Sequence, residues 1–268
     1  MRIWAVSNQK GGVGKTTTVV SLGGLLAERG YRTLLIDLDP HGSLTSYFKL
    51  NPDEIESSVY DLFQDALVKR RLELNRYVQP SGIDGLALLP ASSALSTIER
   101  QQGAGGLGLV VNNTLAGVKG QYDFALIDSP PMLGVLMVNA LAACEHLFVP
   151  VLCEFLALKG LERMLNTLTM IGKSRRVSLE YTILPTMFDS RTRAAKQTLD
   201  AMRQHFPQEV WRSVIPVDTR IREASQAGLP VSSFARDSKA AAAYAALLKD
   251  ALSGSLERRE ELRLAATG

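Results

Sequence analysis

The 268-residue sequence predicts an α/β fold, a doubly wound and mostly parallel twisted sheet flanked by helices. Two observations predict it. Apolar runs rich in β-branched residues alternate with helical patterns, and such continuous runs are typical of parallel strands covered on both faces. No Pro- or Ser-rich linker divides the chain, so we expect a single domain over residues 1–252. The charged residues 253–268 are expected to form a frayed or disordered tail.

The strands are predicted from their apolar composition. The first, RIWAVSN, precedes a glycine-rich loop, and the others follow at intervals filled by helical or polar segments. The predicted strands are residues 2–8, 31–37, 86–90, 123–128, 146–151 and 178–186, with a late, short one at 210–215. Parallel strands need crossover connections, which we expect to be right-handed.

The helices are predicted from their periodicity. The first spans residues 16–29 and ends at Gly30, and later patterns lie at residues 158–171 and 192–205. The stretch QQGAGGLG at residues 101–108 is expected to be a flexible connection before a helix at residues 109–117.

The charge distribution and the cysteine content indicate in which cellular compartment the protein works and what kind of partner it binds. The net charge is only +3, but residues 173–222 contain ten Lys or Arg against five Asp or Glu, so the positive excess lies in one late segment. The N-terminus has no apolar stretch typical of a signal peptide. The only two cysteines, Cys144 and Cys153, form no C-x-x-C motif and are expected to be small core residues. These features indicate a reduced cytoplasm.

The segment NQKGGVGKTTT at residues 8–18 is typical of a phosphate-binding loop, because it follows a strand and precedes a helix. It departs from G-x-x-x-x-G-K-[ST] only in having Gln9 at the first glycine position. We expect the backbone N–H groups of Gly11, Gly12, Val13 and Gly14 to surround phosphate oxygens. The side chains that follow have separate expected roles: Lys15 reaches the β- and γ-phosphates, Thr16 binds Mg²⁺ and Thr17 binds a more internal phosphate.

Three carboxylates follow predicted strands and should meet at the same edge of the sheet. Asp128 comes after an apolar strand and suits the Walker-B role of holding Mg²⁺, usually through water. Either Asp37 or Asp39 is expected to orient an attacking water. The alternative for these carboxylates is helix capping from loops.

Lys10 is a second lysine in the loop and is not needed for the phosphates of its own site. A cation on the outer side of the loop could reach the nucleotide of another subunit across a two-fold axis. It would then neutralise charge developing on the partner's phosphates, as a trans-acting arginine does elsewhere. The alternative is an ordinary exposed surface lysine.

These motifs resemble the ParA/MinD family of partition and positioning ATPases, P-loop NTPases with a deviant Walker A motif. The likeness is carried by KGGVGKTTT, LLIDLDPHGSLT and YDFALIDSPPMLGVLMVNAL, with His41 where glutamine is common in the family. The resemblance implies that Lys10 crosses the dimer, that Asp39 positions the hydrolytic water and that Asp128 serves Mg²⁺. It also places the adenine near Thr186, Met187 and Pro216.

The resemblance to the ParA-like branch further implies a DNA-binding surface. Arg191 and Arg220 match the family's DNA-contacting positions, and Arg193 and Arg222 lie close by in sequence. Phosphate contacts from such side chains give binding without sequence preference. The alternative is a solvated charged face. In addition, members of the family often read I-P-R-N, whereas this chain reads I-P-V-D at residues 215–218, which removes a cation from the expected surface and adds an anion.

The implied function is an Mg²⁺-dependent ATPase, slow unless stimulated, that dimerises with ATP. It would position or segregate a plasmid, a chromosome or a protein array through non-specific DNA binding and a ParB-like or array-associated stimulating protein. One alternative is an adaptor for the polar localisation of chemotaxis arrays with little DNA binding, because residues 154–164 and 101–108 also resemble ParA-like proteins of such arrays. Another is a metabolic enzyme that transfers phosphate to a small molecule. Residues 252–268 lack the bulky apolar and basic faces of a membrane-binding helix, so no membrane partner is expected. The expected location is cytoplasmic, at the nucleoid or a cell pole.

Overall fold

The computed structural model describes residues 1–100, 107–154, 156–175 and 179–266. It confirms the predicted α/β class: one seven-stranded sheet in the order β3-β4-β2-β5-β1-β6-β7, parallel throughout except for β3, which is antiparallel to β4. The strands are β1 Arg2–Val6, β2 Thr33–Asp37, β3 Gln79–Ile83, β4 Leu86–Leu89, β5 Phe124–Asp128, β6 His146–Leu152 and β7 Glu180–Thr186.

Helices connect the strands and cover both faces of the sheet. They are α1 Lys15–Glu28, α2 Ser43–Tyr47, α3 Val59–Leu67, α4 Leu95–Arg100, α5 Val110–Ala116, α6 Val135–Ala143, α7 Ala157–Arg175, α8 Arg193–His205, α9 Arg220–Ala227, α10 Val231–Phe234 and α11 Lys239–Ala266. Short 3₁₀ turns span Leu74–Arg76 and Leu107–Leu109. The domain boundary at residue 252 and the frayed tail remain predictions.

The core consists of two clusters, one on each face of the sheet. Ile3 and Ala5 of β1 pack into one cluster, whereas Trp4 and Val6 pack into the other, as expected for side chains that alternate along a strand. Both cysteines are buried, which agrees with the prediction that they are core residues. Among the described helices, none is long and apolar enough to cross a membrane.

The central position of β1 determines where a ligand can bind. β1 lies between β5 and β6: the chain runs from β1 to β2 on one side of it and later crosses from β5 to β6 on the other side, so the direction of winding reverses here. Ligands of open parallel sheets bind at the carboxyl ends of strands near such a switch point. Asp37 of β2 and Asp128 of β5 are paired in register at this edge.

Two differences from the predicted strands have physical reasons. Strand β3 was missed because it is polar, short and contains Pro80, which an antiparallel edge strand tolerates. The strand predicted at residues 210–215 was wrong, since the described pairing of this segment is a single isolated bridge between Val210 and Ile183. Trp211 N donates to Ile183 O, and Ile215 N donates to Pro185 O. The two donors are four residues apart but the two acceptors only two, so a regular ladder of hydrogen bonds cannot form.

The segment around the second glycine-rich stretch is only partly described. Residues 101–106 of QQGAGGLG, and with them the predicted flexible connection, lie outside the described residues. The helix expected at residues 109–117 is present as α5, after the 3₁₀ turn at Leu107–Leu109.

Candidate nucleotide site and candidate DNA surface

The loop between β1 and α1 has the backbone of a phosphate cradle. Gly12 and Gly14 have φ angles of 71° and 92°, a region that side chains other than glycine rarely adopt. An added Cβ at Gly11, Gly12 or Gly14 would meet nothing within 4 Å, so the loop faces open space. Helix α1 begins at Lys15 without a side-chain cap. Its first N–H groups are therefore free to bind an anion.

Side chains hold this loop to the neighbouring elements. Asn8 Nδ2 donates to Pro150 O at 2.7 Å, and Asn8 Oδ1 accepts from Lys10 N at 3.0 Å. Gln9, at the missing glycine position, donates from Nε2 to Thr167 Oγ1 of α7 at 2.9 Å. The departure from the strict phosphate-loop pattern therefore adds a tether between the loop and a helix instead of removing a phosphate contact.

Thr16 and Asp128 form the pair expected at a magnesium site. Thr16 Oγ1 donates to Asp128 Oδ2 at 2.6 Å. The other oxygen, Asp128 Oδ1, is buried and has no hydrogen-bond partner within the described ranges. Burial, reinforced by repulsion from Asp37, raises the pKa of Asp128 above its ordinary value. A buried carboxylate with an unpartnered oxygen beside a threonine hydroxyl fits a hard cation such as Mg²⁺.

The structure places Asp37 and Asp39, the two candidates for orienting water, in different environments. Asp37 is fully buried and accepts hydrogen bonds from Thr45 N, Thr45 Oγ1 and Asp39 N, so it anchors the start of α2. Asp39 lies just beyond β2, and among the described residues its carboxylate bonds only within its own turn, to His41 N and His41 Nδ1. The role of either carboxylate in orienting water stays a prediction.

The expected adenine residues line one cavity with the loop. A cavity of about 510 Å³ is bordered by Gly14 and Thr17 on one side and by Thr186, Met187 and Pro216 on the other. Thr186 Oγ1 also donates to Val13 O at 2.9 Å, which ties the end of β7 to the loop. The cavity is thus contiguous with the phosphate loop, as a base pocket requires.

The two lysines of the loop lie in different environments. Lys15 is buried, with 8% of its surface exposed. Lys10 points away, and its Nζ lies 3.1 Å from Glu154 Oε2 with both side chains largely exposed. Sequence reasoning missed Glu154, because its pairing with Lys10 depends on the fold that brings β6 beside the loop.

Arg191 and Arg220 lie along one open groove of about 1,320 Å³. Each has a carboxylate partner: Arg191 pairs with Asp189 at 2.8 Å and Arg220 with Glu223 at 2.6 Å. The hydrogen bond from Arg191 lowers the pKa of Asp189 to about 2, so this partner is ionised. Three carboxylates, of Asp189, Asp218 and Asp237, line the groove beside its cations, so most of the positive charge of the groove is neutralised within the chain.

Arg193 and Arg222, which were expected on the same DNA surface, do not line the groove. Arg222 lines the base cavity, and Arg193 is exposed at the start of α8. The groove also contains two cations that sequence reasoning missed, Arg236 and Lys239. They lie at least 14 residues beyond Arg222, and the packing of α10 against both α9 and α11 brings this segment to the groove.

Asp218, the anion that replaces a family asparagine, has a structural role. Its Oδ1 accepts from Arg220 N at the start of α9, and its Oδ2 accepts from Ala240 N at the start of α11, both at 3.0 Å. It therefore caps two helices at once.

Comparisons with known proteins find relatives over most of the chain. A family model described as an AAA domain matches residues 1–181. The sporulation initiation inhibitor protein Soj of Bacillus subtilis is 35% identical over 258 residues, covering 93% of this chain and 97% of that protein. The chromosome partitioning protein ParA of Caulobacter vibrioides is 35% identical, covering 97% of each chain.

The structural comparison includes a nucleotide complex. A crystal structure described as cobyrinic acid a,c-diamide synthase from Mycobacterium smegmatis with bound ADP and magnesium is 34% identical, covers 94% of each chain and has a TM-score of 0.78. These relatives match nearly the whole chain, and the phosphate loop and the paired strand-end carboxylates are consistent with them. The chain belongs to the ParA/MinD family of P-loop ATPases.

Proposed function

We propose that this ATPase is a dimerising switch that segregates a chromosome or plasmid, binding DNA without sequence preference when it carries ATP. The observation that carries the proposal is the outward position of Lys10. This lysine lies on the loop but pairs with exposed Glu154 rather than turning toward the buried Lys15. It is therefore available to a second protomer that faces the loop.

The residues of the site have distinct proposed roles in ATP hydrolysis. The N–H groups of residues 11–14 and Lys15 hold the phosphates, and Thr17 contacts a more internal phosphate. Thr16 and Asp128 hold Mg²⁺, which when bound neutralises charge on the β- and γ-phosphates. Asp39 orients the attacking water, and Lys10 of each protomer stabilises the partner's phosphates. Thr186, Met187 and Pro216 enclose the adenine.

Arg191 and Arg220 are the proposed DNA contacts, because they lie on the same groove. Arg236 and Lys239 extend that groove, so the surface does not depend on the cation missing at position 217. Arg193 would contact DNA from the exposed start of α8. Arg222, two residues after Arg220 on α9, lines the neighbouring cavity and would contact DNA from its border. The location that follows is the nucleoid.

The relatives support partition over the adaptor alternative. Proteins named for chromosome partitioning are about 35% identical over nearly the whole chain. A chemotaxis-array adaptor with little DNA binding is not favoured. A ParB-like protein is the proposed partner that stimulates hydrolysis.

The decisive experiment measures oligomeric state and DNA co-sedimentation with ATP, with ADP and without nucleotide. The wild type should be a dimer that retains DNA only with ATP. Lys10→Ala should bind ATP but remain monomeric and lose DNA. The double variant Arg191→Ala/Arg220→Ala should dimerise normally but lose DNA, and this loss should mimic raising the salt concentration.

A wild type that stays monomeric with ATP would overturn the proposal. A dimer without salt-sensitive DNA retention would instead support the adaptor. A monomer that releases ADP only when a small-molecule acceptor is added would support a metabolic phosphate-transferring enzyme.

A further inference from the structure

The loop after β2 folds the side chain of His41 back onto Asp39. His41 Nδ1 lies 2.9 Å from Asp39 Oδ1, and His41 N donates to the same oxygen at 3.0 Å. Asp39 is buried, with 8% of its surface exposed, whereas the His41 side chain is 81% exposed. The imidazole therefore contributes little to the core, and its one described polar contact is the carboxylate.

The backbone of this loop forms a tight turn that keeps the side chains of Asp39 and His41 close together. Gly42 N donates to Asp39 O at 2.8 Å and closes a four-residue turn, D-P-H-G. Aspartate, proline and glycine stand at the first, second and fourth positions, where tight turns of type I favour them. Gly42 has a φ of 60°, and an added Cβ there would collide with Pro52. The turn is thus closed by a backbone hydrogen bond and packed against Pro52 next to His41.

We propose that His41 is a positioning residue for ATP hydrolysis, holding the Asp39 carboxylate in the orientation that aligns the attacking water. The Nδ1–H group and the His41 N–H both engage Oδ1. No hydrogen bond to Oδ2 occurs within the described parts of the chain, so this oxygen is left to accept a proton from water. His41 touches neither nucleotide nor water in this assignment and acts only through Asp39.

The physical effect is a loss of rotational freedom in the carboxylate. When two donors bind one carboxylate oxygen, the position of the second oxygen is fixed as well. The rate of hydrolysis depends on this position, because the reacting atoms must be closely aligned. Without the imidazole, the backbone N–H alone holds Oδ1, and Oδ2 can turn away from the water. Hydrolysis should slow while the nucleotide contacts made by residues 11–17 remain.

The inference rests on the proposed role of Asp39, and the test uses variants that separate the two. His41→Leu removes the donor. His41→Asn restores an N–H near the position of Nδ1, because the asparagine amide nitrogen is the same number of bonds from the backbone. Each is compared with Asp39→Ala and with the double variant Asp39→Ala/His41→Leu. The measurements are single-turnover ATP hydrolysis and the Kd for ATP.

We expect His41→Leu to lower the hydrolysis rate roughly ten- to a hundredfold with an unchanged Kd for ATP. His41→Asn should recover most of the rate, whereas a purely structural role would not distinguish leucine from asparagine at an exposed site. In the Asp39→Ala background, His41→Leu should have no further effect, because positioning acts only through the carboxylate.

Normal turnover in His41→Leu, equal loss in both His41 variants, or an additive effect in the double variant would each overturn the inference. Normal turnover in Asp39→Ala would overturn both the role of Asp39 and that of His41. Failure of the wild type to dimerise or to bind DNA would overturn only the proposed switch, since the hydrolysis comparison does not depend on it.

Discussion

Lys10 Nζ lies 3.1 Å from Glu154 Oε2, on the outer side of the loop whose other lysine, Lys15, is buried. The pair is exposed, so it contributes at most about 1 kcal/mol to the stability of the monomer. The ion pair nevertheless engages Lys10, which the proposed dimer needs. Lys10 must therefore separate from Glu154 before it can reach a partner's phosphates.

Replacing Glu154 with glutamine should therefore favour the dimer. We expect Glu154→Gln to lower the ATP concentration at half-maximal dimerisation up to about fivefold, the ratio that about 1 kcal/mol of released pairing energy allows. Its melting temperature should stay close to that of the wild type. Light scattering during an ATP titration measures the effect. Weaker dimerisation would show instead that Glu154 itself contributes to the dimer interface.

The Thr16–Asp128 hydrogen bond predicts a specific magnesium defect. Thr16→Val keeps the branched shape but removes the hydroxyl that lies 2.6 Å from Asp128 Oδ2. We expect Mg²⁺ to enhance ATP affinity at least about tenfold less in this variant than in the wild type, because one hard oxygen ligand is lost. Affinity in EDTA should change little, since the loop contacts remain.

Thr16→Ser is the matched control, because it retains the oxygen and should retain the response to Mg²⁺. The measurement is a titration of a fluorescent ATP analogue at increasing Mg²⁺ concentration. Equal Mg²⁺ enhancement in Thr16→Val and the wild type would remove Thr16 from the proposed magnesium site.

The loop and the strand-end carboxylates of the candidate nucleotide site were predictable because their signals are local. The spacing of Gly11, Gly12, Gly14 and Lys15 defines the loop within a few residues, and apolar strands predict where Asp128 ends up. Contacts between distant segments were not predictable. The pairing of Lys10 with Glu154 spans 144 residues, and Asp218 caps α11 only because that helix starts beside α9.

The same limit explains the errors in the sheet and on the groove. The apolar residues from Val210 to Ile215 satisfy a strand pattern. Their hydrogen bonds to β7 are spaced four residues apart on one segment and two on the other, and this difference is visible only when the two segments are side by side. Strand β3 has no apolar pattern to detect. Arg236 and Lys239 are unremarkable in sequence and become groove residues only through the packing of α10 and α11.

The groove predicts that DNA affinity can be increased at the position where the family cation is missing. Val217 is 54% exposed and lines the groove together with Arg191 and Arg220. Val217→Arg should add about one phosphate contact, which steepens the dependence of log affinity on log salt by about 0.9. Binding of the ATP-bound dimer to duplex DNA at several salt concentrations measures this slope.

Val217→Gln is the control for side-chain size without charge and should leave the slope unchanged. Because Val217 also borders the base cavity, the Kd for ATP is measured for both variants and should be similar. An unchanged salt slope in Val217→Arg, with normal ATP binding, would mean that DNA does not approach this groove.

A buried hydrogen bond outside the candidate nucleotide site predicts a pH-dependent stability. Tyr77 is 2% exposed, and its hydroxyl donates to Asp65 Oδ2 at 2.6 Å. Burial, followed by the hydrogen bond to Asp65, raises the pKa of Tyr77 to about 12. An unfolded tyrosine titrates near 10, so between these values the unfolded chain loses a proton that the folded chain keeps.

The stabilisation is therefore fully present below pH of about 10 and is lost as the pH rises toward 12. Tyr77→Phe should cost about 1–2 kcal/mol of unfolding free energy at pH 7, and this difference should shrink above pH of about 10. Urea unfolding at each pH measures it. Tyr60→Phe, on the same helix as Asp65 and without a hydroxyl hydrogen bond among the described residues, should change stability little at any pH. A difference between wild type and Tyr77→Phe that stays constant through pH of about 11 would contradict the raised pKa, because the folded and unfolded phenols would then lose their protons together.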